Sequence, residues 1–104
     1  ADRTKLWVAS QNMWERRAAA VALIPALRKG KNGKLALAIA AGLLDEKEDL
    51  AQKGCGWMLR EAAKTDLDGV FAFLLKHKSR IPRTTLRYAV EKFPKAKKAR
   101  AMEK

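Results

Sequence analysis

Hydrophobic side chains recur every three or four residues along most of the chain, which is the spacing of one face of an α-helix. No stretch alternates apolar and polar residues in the way that a half-buried β-strand does. The pattern therefore predicts an all-α protein. Five helices are predicted, over approximately residues 12–28, 34–44, 45–64, 65–78 and 82–93, and residues 3–9 are interpreted as the end of an earlier helix.

Residues that commonly start or stop helices stand at the predicted boundaries. Asn12 is expected to cap the first helix while Glu15 bonds back to it, and Pro25 is expected to kink the last turn of that helix. The segment Lys29–Gly33 is typical of a turn between two helices. The third helix is predicted to start in an acidic cluster of Asp45, Glu46, Glu48 and Asp49. Thr65 is expected to cap the fourth helix, with Asp68 at its third position. Pro82 is expected to open the fifth helix, which ends before Pro94.

A weak internal repeat relates the helices to one another. A shift of 36 residues superimposes Trp14, Leu50 and Leu86, then Ala18, Gly54 and Val90, then Val21, Trp57 and Phe93, and also Arg17 and Lys53. A period of this length with two antiparallel helices per unit is typical of an α-solenoid of the HEAT or armadillo kind. We therefore predict about two and a half stacked repeats, truncated from a longer array. An irregular helical bundle is the alternative.

The composition is that of one small domain, or of a piece of a larger one, with a strong positive charge. The 104 residues are 48% hydrophobic, with 23 Lys and Arg against 11 Asp and Glu and a formal net charge of +12. The longest apolar stretch, residues 18–27, is shorter than the roughly 20 residues that span a bilayer, and no secretory signal is recognisable. We predict a cytoplasmic protein without membrane insertion, and we interpret Ala1 in place of Met as the start of a processed or excised piece.

The positive charge is concentrated towards the end of the chain. Residues 1–75 carry 12 basic and 9 acidic side chains, whereas residues 76–104 carry 11 basic and 2 acidic ones. A field of this sign favours polyanions, nucleic acid before an acidic membrane surface, although surplus lysine also serves solubility alone. The predicted organisation is a helical-repeat domain over residues 1–94 and a basic, frayed tail over residues 95–104.

The third predicted helix places its largest apolar side chain away from its buried face. At 100° per residue, one arc is predicted to be buried and collects Leu50, Ala51, Gly54, Cys55, Met58 and Ala62. Trp57 lies about 100° from the centre of that arc, beside Lys53, Arg60 and Lys64. An aromatic ring among cations is a platform for a nucleic-acid backbone or a stacked base. The alternative, equally supported by the residues, is a Trp wedged against the adjacent repeat.

The first helix shows the reverse arrangement, a cation on an apolar stripe. The stripe consists of Trp14, Val21, Ile24 and Pro25. Arg17 lies within it, and because an unpaired buried guanidinium is costly, it is expected to meet either a ligand or a carboxylate, Glu61 or Glu15. Since Arg17 and Lys53 are equivalent in the repeat, their charges should align on one surface, where the phosphates of DNA would match them.

Few other residues offer chemistry. His77 and Cys55 are the only histidine and the only cysteine, so neither a His/Cys metal cluster nor an intrachain disulfide can form. Cys55 falls on the buried arc, where it is interpreted as an inert filler. Glu61 could serve as a base, but an ion pair with Lys64 or Arg17 is the favoured interpretation. No cofactor is predicted, and the residues alone indicate a basic helical-repeat binding module without a visible catalytic centre.

Two segments together resemble one known family. The segment Ser10–Leu23, SQNMWERRAAAVAL, resembles the Trp-x-x-Arg-Ala-Ala helix of the DNA alkylation repair family of DNA glycosylases. The segment Gln52–Thr65, QKGCGWMLREAAKT, resembles that family's Gln-Lys-x-x-Gly-Trp-x-Leu-Arg-Glu-x-x-Lys-Thr helix, and this longer match is specific. Residues 82–88 fit the family's closing helix loosely. The resemblance covers nearly the whole chain, but only the C-terminal half of a typical member.

The resemblance implies a HEAT-like α-solenoid with a concave, basic surface for double-stranded DNA. Members of the family excise alkylated purines, chiefly those modified at N3 or N7, by cleaving the N-glycosidic bond. They engage the backbone around the lesion rather than flipping the base into a pocket. Arg17 falls on the family's active-site arginine, and Trp57 on one of its active-site tryptophans. The residues predicted to bind DNA are Arg17, Lys53, Trp57, Arg60 and Lys64.

One element of the family is missing from this sequence. The family's catalytic aspartate stands in a Trp-x-x-x-Asp motif, whereas the residues four beyond Trp7, Trp14 and Trp57 are Gln11, Ala18 and Glu61. No catalytic residue is therefore assigned, and the chain alone is expected to bind DNA weakly without turnover, while its parent protein has glycosylase activity. The alternatives are a non-catalytic HEAT-type module that binds DNA or a protein partner, and a scaffold whose charge serves solubility or RNA association. An open solenoid end would favour self-association.

Overall fold

A computed structural model of the chain describes residues 7–103, and every regular element within them is an α-helix. These helices are α1 (Met13–Val21), α2 (Ile24–Arg28), α3 (Gly33–Gly42), α4 (Asp49–Ala63), α5 (Leu67–Lys76), α6 (Arg83–Ala89) and α7 (Lys95–Met102). The prediction of an all-α, helical-repeat fold is confirmed. Trp7 and Val8 of the predicted segment 3–9 are helical, and residues 3–6 of that segment lie outside the described residues.

Helix α4 lies at the centre of the fold, between α1 and α6. Helix α1 contacts it at Gly54 and α6 contacts it at Gly56, and because these positions are about 200° apart around a helix, the two neighbours lie on opposite sides. Helices α3, α5 and α7 follow along the chain as the second members of three helix pairs. Helices α1 and α4 begin at Met13 and Asp49, which is the predicted spacing of 36 residues.

The core is built from aliphatic side chains, with alanines where helices approach closely. Its largest fully buried members are Leu27, Ile39, Met58, Leu59, Val70, Leu74 and Val90. The predicted buried arc of α4 holds except at Leu50, which is 41% exposed, and Trp14 of the predicted apolar stripe is 61% exposed. Leu50 and Trp14 stand in the first turns of α4 and α1. Each lies one turn before the place where the two helices meet, at Gly54 and Arg17, so little of the neighbouring helix covers these two side chains.

The first predicted helix, residues 12–28, is divided in two. Helix α1 ends at Val21, and α2 begins at Ile24 after a short turn. Pro25 stands at the start of α2, where a backbone N–H would have no acceptor within the helix. The absence of an N–H group in proline therefore removes no hydrogen bond there. Continuing α1 through Pro25 would press the proline ring against the carbonyl group of Val21, four residues earlier. Pro25 therefore breaks the helix instead of kinking its last turn, and it is exposed rather than part of an apolar stripe.

Capping confirms one predicted helix start and corrects another. The side-chain oxygen of Asn12 accepts from two backbone N–H groups in the first turn of α1, at 2.8 and 3.4 Å, as predicted. Helix α5 is capped by Asp66 and not by Thr65, because the Asp66 carboxylate accepts from a backbone N–H at 3.0 Å. Helix α6 ends at Ala89, several residues before the predicted end.

Residues Lys95–Met102 form helix α7, in the segment 95–104 for which the sequence analysis expects a frayed tail; residue 104 lies outside the described residues. Ala101 of α7 is fully buried, and a lysine ammonium of α7 lies 4.6 Å from the ring centre of Phe71 on α5. Lys78 and Arg83 donate to the last carbonyl oxygens of α7 at 2.9 and 3.2 Å. Two cations thus satisfy the otherwise unpaired end of this helix and complement its dipole.

Helices α4 and α6 meet almost at backbone distance because Gly56 has no side chain. A Cβ atom at this position would lie 2.5 Å from Cβ of Tyr88 and 2.7 Å from the carbonyl oxygen of Thr85. The buried hydroxyl of Thr85 donates to the carbonyl oxygen of Gln52 at 3.1 Å. This contact fixes α6 against α4 and determines which part of α4 stays uncovered.

Gly56→Ala is expected to lower the free energy of unfolding by about 1–3 kcal/mol, because α4 and α6 must separate to admit a methyl group. Gly33→Ala is the matched control, since nothing lies within 4 Å of the Cβ atom that it adds at the start of α3. That change should leave the stability equal or raise it by about 0.5–1 kcal/mol. Urea unfolding followed by circular dichroism measures both, and equal stability of the two variants would contradict the close packing of α4 on α6.

Candidate nucleic-acid interface

Helix α4 has one strip that neither neighbouring helix covers. Lys53, Trp57 and Lys64 fall within an arc of about 40°, between the side that meets α1 and the side that meets α6. The side chains of Lys53 and Lys64 are 39% and 52% exposed, and Trp57 is half-buried. The structure therefore places Trp57 outside the buried arc and next to cations.

Arg17 of α1 lies across the backbone of α4 beside this strip. A Cβ atom at Gly54 would lie 3.0 Å from Cγ of Arg17 and 3.7 Å from its Nε, so the glycine leaves room for the arginine stem. The predicted ion pairs of Arg17 with Glu61 or Glu15 are wrong. Glu61 pairs with other cations, and Glu15 accepts from a serine hydroxyl, which also replaces its predicted bond back to the cap of α1.

Three buried side-chain N–H groups have no acceptor among residues 7–103, namely Nε of Arg17, Nε1 of Trp57 and Nε of Arg60. All three belong to residues that the sequence predicts as DNA-binding. An unsatisfied buried donor costs about 1–3 kcal/mol, so each one in a native fold calls for an explanation. Their concentration on α1 and α4 marks this face as a candidate polar site.

The carboxylate of Glu61 forms hydrogen bonds with two cations at the end of the strip. Its side chain is only 3% exposed and accepts from Lys64 at 3.0 Å and from Nε of Arg28 at 3.2 Å. Nε of Arg60 lies 3.9 Å from the other carboxylate oxygen. Burial acts to raise the pKa of Glu61, but the hydrogen bonds from Lys64 and Arg28 outweigh it and hold that pKa below its usual value. Arg28 is not among the residues that the sequence predicts.

The other cations of this face pair with carboxylates beside the strip. Lys53 pairs with Asp49 at 2.8 Å, one turn earlier in α4, and this hydrogen bond raises the pKa of Lys53. Nη1 of Arg60 pairs with Glu91 at 2.9 Å. These pairs are partly exposed, where an ion pair contributes little to stability. Lys53 and Arg17 stand on the adjacent helices α4 and α1.

A second buried carboxylate anchors α1 to the loop before α4. Glu46 accepts from Nε and Nη2 of Arg16 at 2.6 and 3.2 Å, and from the backbone N–H groups of Lys47 and Glu48 at 3.1 and 3.0 Å. Burial acts to raise the pKa of Glu46, but these hydrogen bonds, that of Arg16 foremost, hold it below its usual value. The acidic cluster therefore begins α4 only at Asp49, and Glu46 joins helices instead.

Cys55 is buried on α4. Burial raises the pKa of the Cys55 thiol to about 12, so the thiol stays protonated and unreactive at neutral pH. Across residues 7–103, no three His, Cys, Asp or Glu side chains are grouped so that they could hold a metal ion.

Comparison with known proteins relates the chain to one family. The chain matches the family described as DNA alkylation repair enzyme over residues 1–93, which is most of its length. Comparisons with curated proteins and with solved structures give no match. No helix among the described residues is long and apolar enough to cross a membrane.

Protonation of Glu61 is expected to destabilise the protein. Because its pKa is lower in the folded chain than in the unfolded chain, its contribution to stability is complete above the unfolded-state pKa and is lost as the pH falls through the folded-state pKa. The free energy of unfolding should therefore fall as the pH is lowered from about 6 to about 3, and should fall less in Glu61→Gln. Urea unfolding at each pH measures this.

Glu91→Gln is the control for that experiment, since it removes a carboxylate that is 52% exposed. Its pH dependence should follow that of the unmodified chain. If Glu61→Gln also followed the unmodified chain, the buried carboxylate would not be the titrating group.

Proposed function

The chain belongs to the family of DNA alkylation repair enzymes, and on this basis we propose that the layer of α1, α4 and α6 binds double-stranded DNA around an alkylated purine. In this proposal the helix pairs stack as HEAT-like repeats, and the layer forms their concave, basic side. Family membership supports a role in alkylation repair. The residues proposed to contact DNA are Arg17, Lys53, Trp57, Arg60 and Lys64.

The observation that carries the proposal is the combination of unsatisfied donors and cations on one face. Arg17 and Trp57 each hold a buried N–H group without an acceptor among the residues described, Lys53 stands one turn before Trp57 on α4, and Lys64 stands at the C-cap of that helix. Most hydrogen bonds between proteins and DNA go to phosphate and sugar oxygens. A DNA backbone carries the negative charge that complements the surplus of cations on this face.

The chemical step proposed for the complete protein is hydrolysis of the bond between C1′ of the sugar and N9 of the purine. Alkylation at N3 or N7 makes the purine positively charged, so it departs more readily as a neutral base with the bonding electron pair, while water adds to C1′ and releases one proton to solvent. The sugar becomes positively charged as the bond breaks, and the face of an indole ring attracts cations. We assign to Trp57 the contact with the damaged nucleoside, and to Arg17 an adjacent phosphate.

A module that binds DNA without cleaving it is the second candidate, and the state of Glu61 favours it. A carboxylate that stabilises a cationic sugar must reach that sugar, whereas Glu61 is buried and engaged by two cations. Asp49 and Glu91 on the same face are also paired with cations. In the first candidate, the family's Trp-x-x-x-Asp element elsewhere in the complete protein supplies the carboxylate; in the second candidate, no carboxylate does.

Lys53→Gln is expected to weaken duplex binding by about threefold to tenfold and to reduce the slope of log Kd against log salt by about 1, because one phosphate contact is lost. Lys76→Gln is the matched control, since it removes an exposed cation at the end of α5, outside the proposed layer. Fluorescence anisotropy of a labelled duplex at increasing salt concentrations measures both variants.

Two outcomes of this salt series would count against the proposal. Duplex affinity of the unmodified chain that barely changes with salt would remove DNA as the ligand. Equal effects of Lys53→Gln and Lys76→Gln would mean that binding follows total charge and not this face.

Trp57→Ala in the complete protein is expected to slow the release of methylated purine from duplex DNA by about tenfold or more, because the aromatic surface against the nucleoside is lost. Trp57→Phe keeps an aromatic ring and should retain more activity than Trp57→Ala. Chromatography of the released base measures the rate. Binding without release of any base, in the unmodified protein as in the variants, would favour the second candidate over the first.

A further inference from the structure

Arg28 and Lys64 share one carboxylate oxygen at the end of the uncovered strip of α4. Nε of Arg28 donates to Oε1 of Glu61 at 3.2 Å, and Nζ of Lys64 donates to the same oxygen at 3.0 Å. The Glu61 side chain is 3% exposed, whereas those of Arg28 and Lys64 are 57% and 52% exposed. One buried anion thus orients two cations that reach the surface, and the three groups keep a net positive charge.

Arg28 leaves its terminal nitrogens uncommitted. It gives Nε to Glu61, and neither of its Nη groups makes a hydrogen bond to any residue between 7 and 103. Arg16 provides a comparison within the chain, because it gives Nε and Nη2 to Glu46 and Nη1 to a backbone carbonyl, and its side chain is only 20% exposed. Arg16 is therefore a structural residue, whereas the two Nη groups of Arg28 remain available to an external acceptor. A guanidinium group binds phosphate through pairs of such N–H donors.

We propose that Arg28, together with Lys64, binds a DNA backbone phosphate, and that Glu61 is the positioning residue that holds both cations towards it. This inference deepens the proposed function and rests on it. Glu61 stands one turn after Trp57 on α4, so the phosphate belongs to a nucleotide close to the one that contacts Trp57.

A buried carboxylate can strengthen the binding of a phosphate in spite of its own charge. Arg and Lys side chains lose rotamer freedom when they bind a ligand, and Glu61 removes part of that loss in advance by holding them. The two cations also screen the phosphate from the carboxylate. Removal of this negative charge is therefore expected to weaken binding of a polyanion, which is opposite in sign to the effect of charge alone.

The test compares duplex affinity over a salt series for the full chain and three variants. Glu61→Gln is expected to weaken binding about fivefold, although it removes a negative charge. Glu48→Gln removes the same charge from an exposed position just before α4 that pairs with no cation among residues 7–103, and its affinity should be unchanged or tighter. Arg28→Gln should weaken binding about fivefold and lower the salt slope by about 1.

A double variant distinguishes positioning from a general loss of structure. Glu61→Gln combined with Arg28→Gln should weaken binding by less than the product of the two single effects, because both changes disrupt one arrangement. Thermal unfolding shows whether Glu61→Gln is folded. If it is not, Arg28→Gln, which alters an exposed side chain, carries the test through its affinity and its salt slope.

Affinity of a folded Glu61→Gln variant equal to or tighter than that of the unmodified chain would overturn the positioning role. Unchanged affinity and slope in Arg28→Gln would overturn the phosphate contact. If the unmodified chain shows no salt-dependent binding of duplex DNA, the proposed function fails, whatever the variants do.

Discussion

The whole structure depends on how closely two helices approach α4. Gly54 and Gly56 lie on opposite sides of this helix, and a Cβ atom at either would press against a side chain of α1 or the backbone of α6. Because both neighbours lie almost on its backbone, α4 is enclosed along most of its circumference and only a narrow strip stays uncovered. That strip contains Trp57 and two lysines. The location of the polar face therefore follows from two glycines, before any charge is considered.

Two buried carboxylates perform different tasks within this frame. Glu46 is enclosed by both prongs of Arg16 and by two backbone N–H groups, so all its hydrogen bonds are made inside the protein. A buried ion pair is tolerated under that condition, and here it fixes α1 to the loop before α4. Glu61 instead holds Arg28 and Lys64, whose ends lie at the surface. The cations of the Glu61 cluster are therefore accessible to anions from outside the protein, whereas Arg16 of the Glu46 cluster is largely buried.

Features that depend on one helix could be predicted from the sequence, and features that depend on distant residues could not. The place of Trp57 outside the buried arc follows from 100° per residue alone. The position of Arg28 in the cluster could not be predicted from one helix, because its partner, Glu61, lies 33 residues later in the chain. Helix α7 likewise depends on distant residues, since Lys78 and Arg83 complete its C-terminal end from other parts of the chain. Local periodicity contains no signal for either contact.

The surplus of positive charge and the unsatisfied polar groups are found in different parts of the molecule. Residues 76–104 carry 11 basic against 2 acidic side chains, yet several of these cations serve the fold, as Lys78 and Arg83 do at α7 and Lys97 does over the ring of Phe71. Within residues 7–103, the buried donors without acceptors lie on α1 and α4 instead. A surplus of charge raises the local concentration of a polyanion at long range, whereas short-range hydrogen bonds decide where it is held. Under the proposed function, the basic C-terminal third therefore supplies long-range attraction, and the strip on α4 supplies the position.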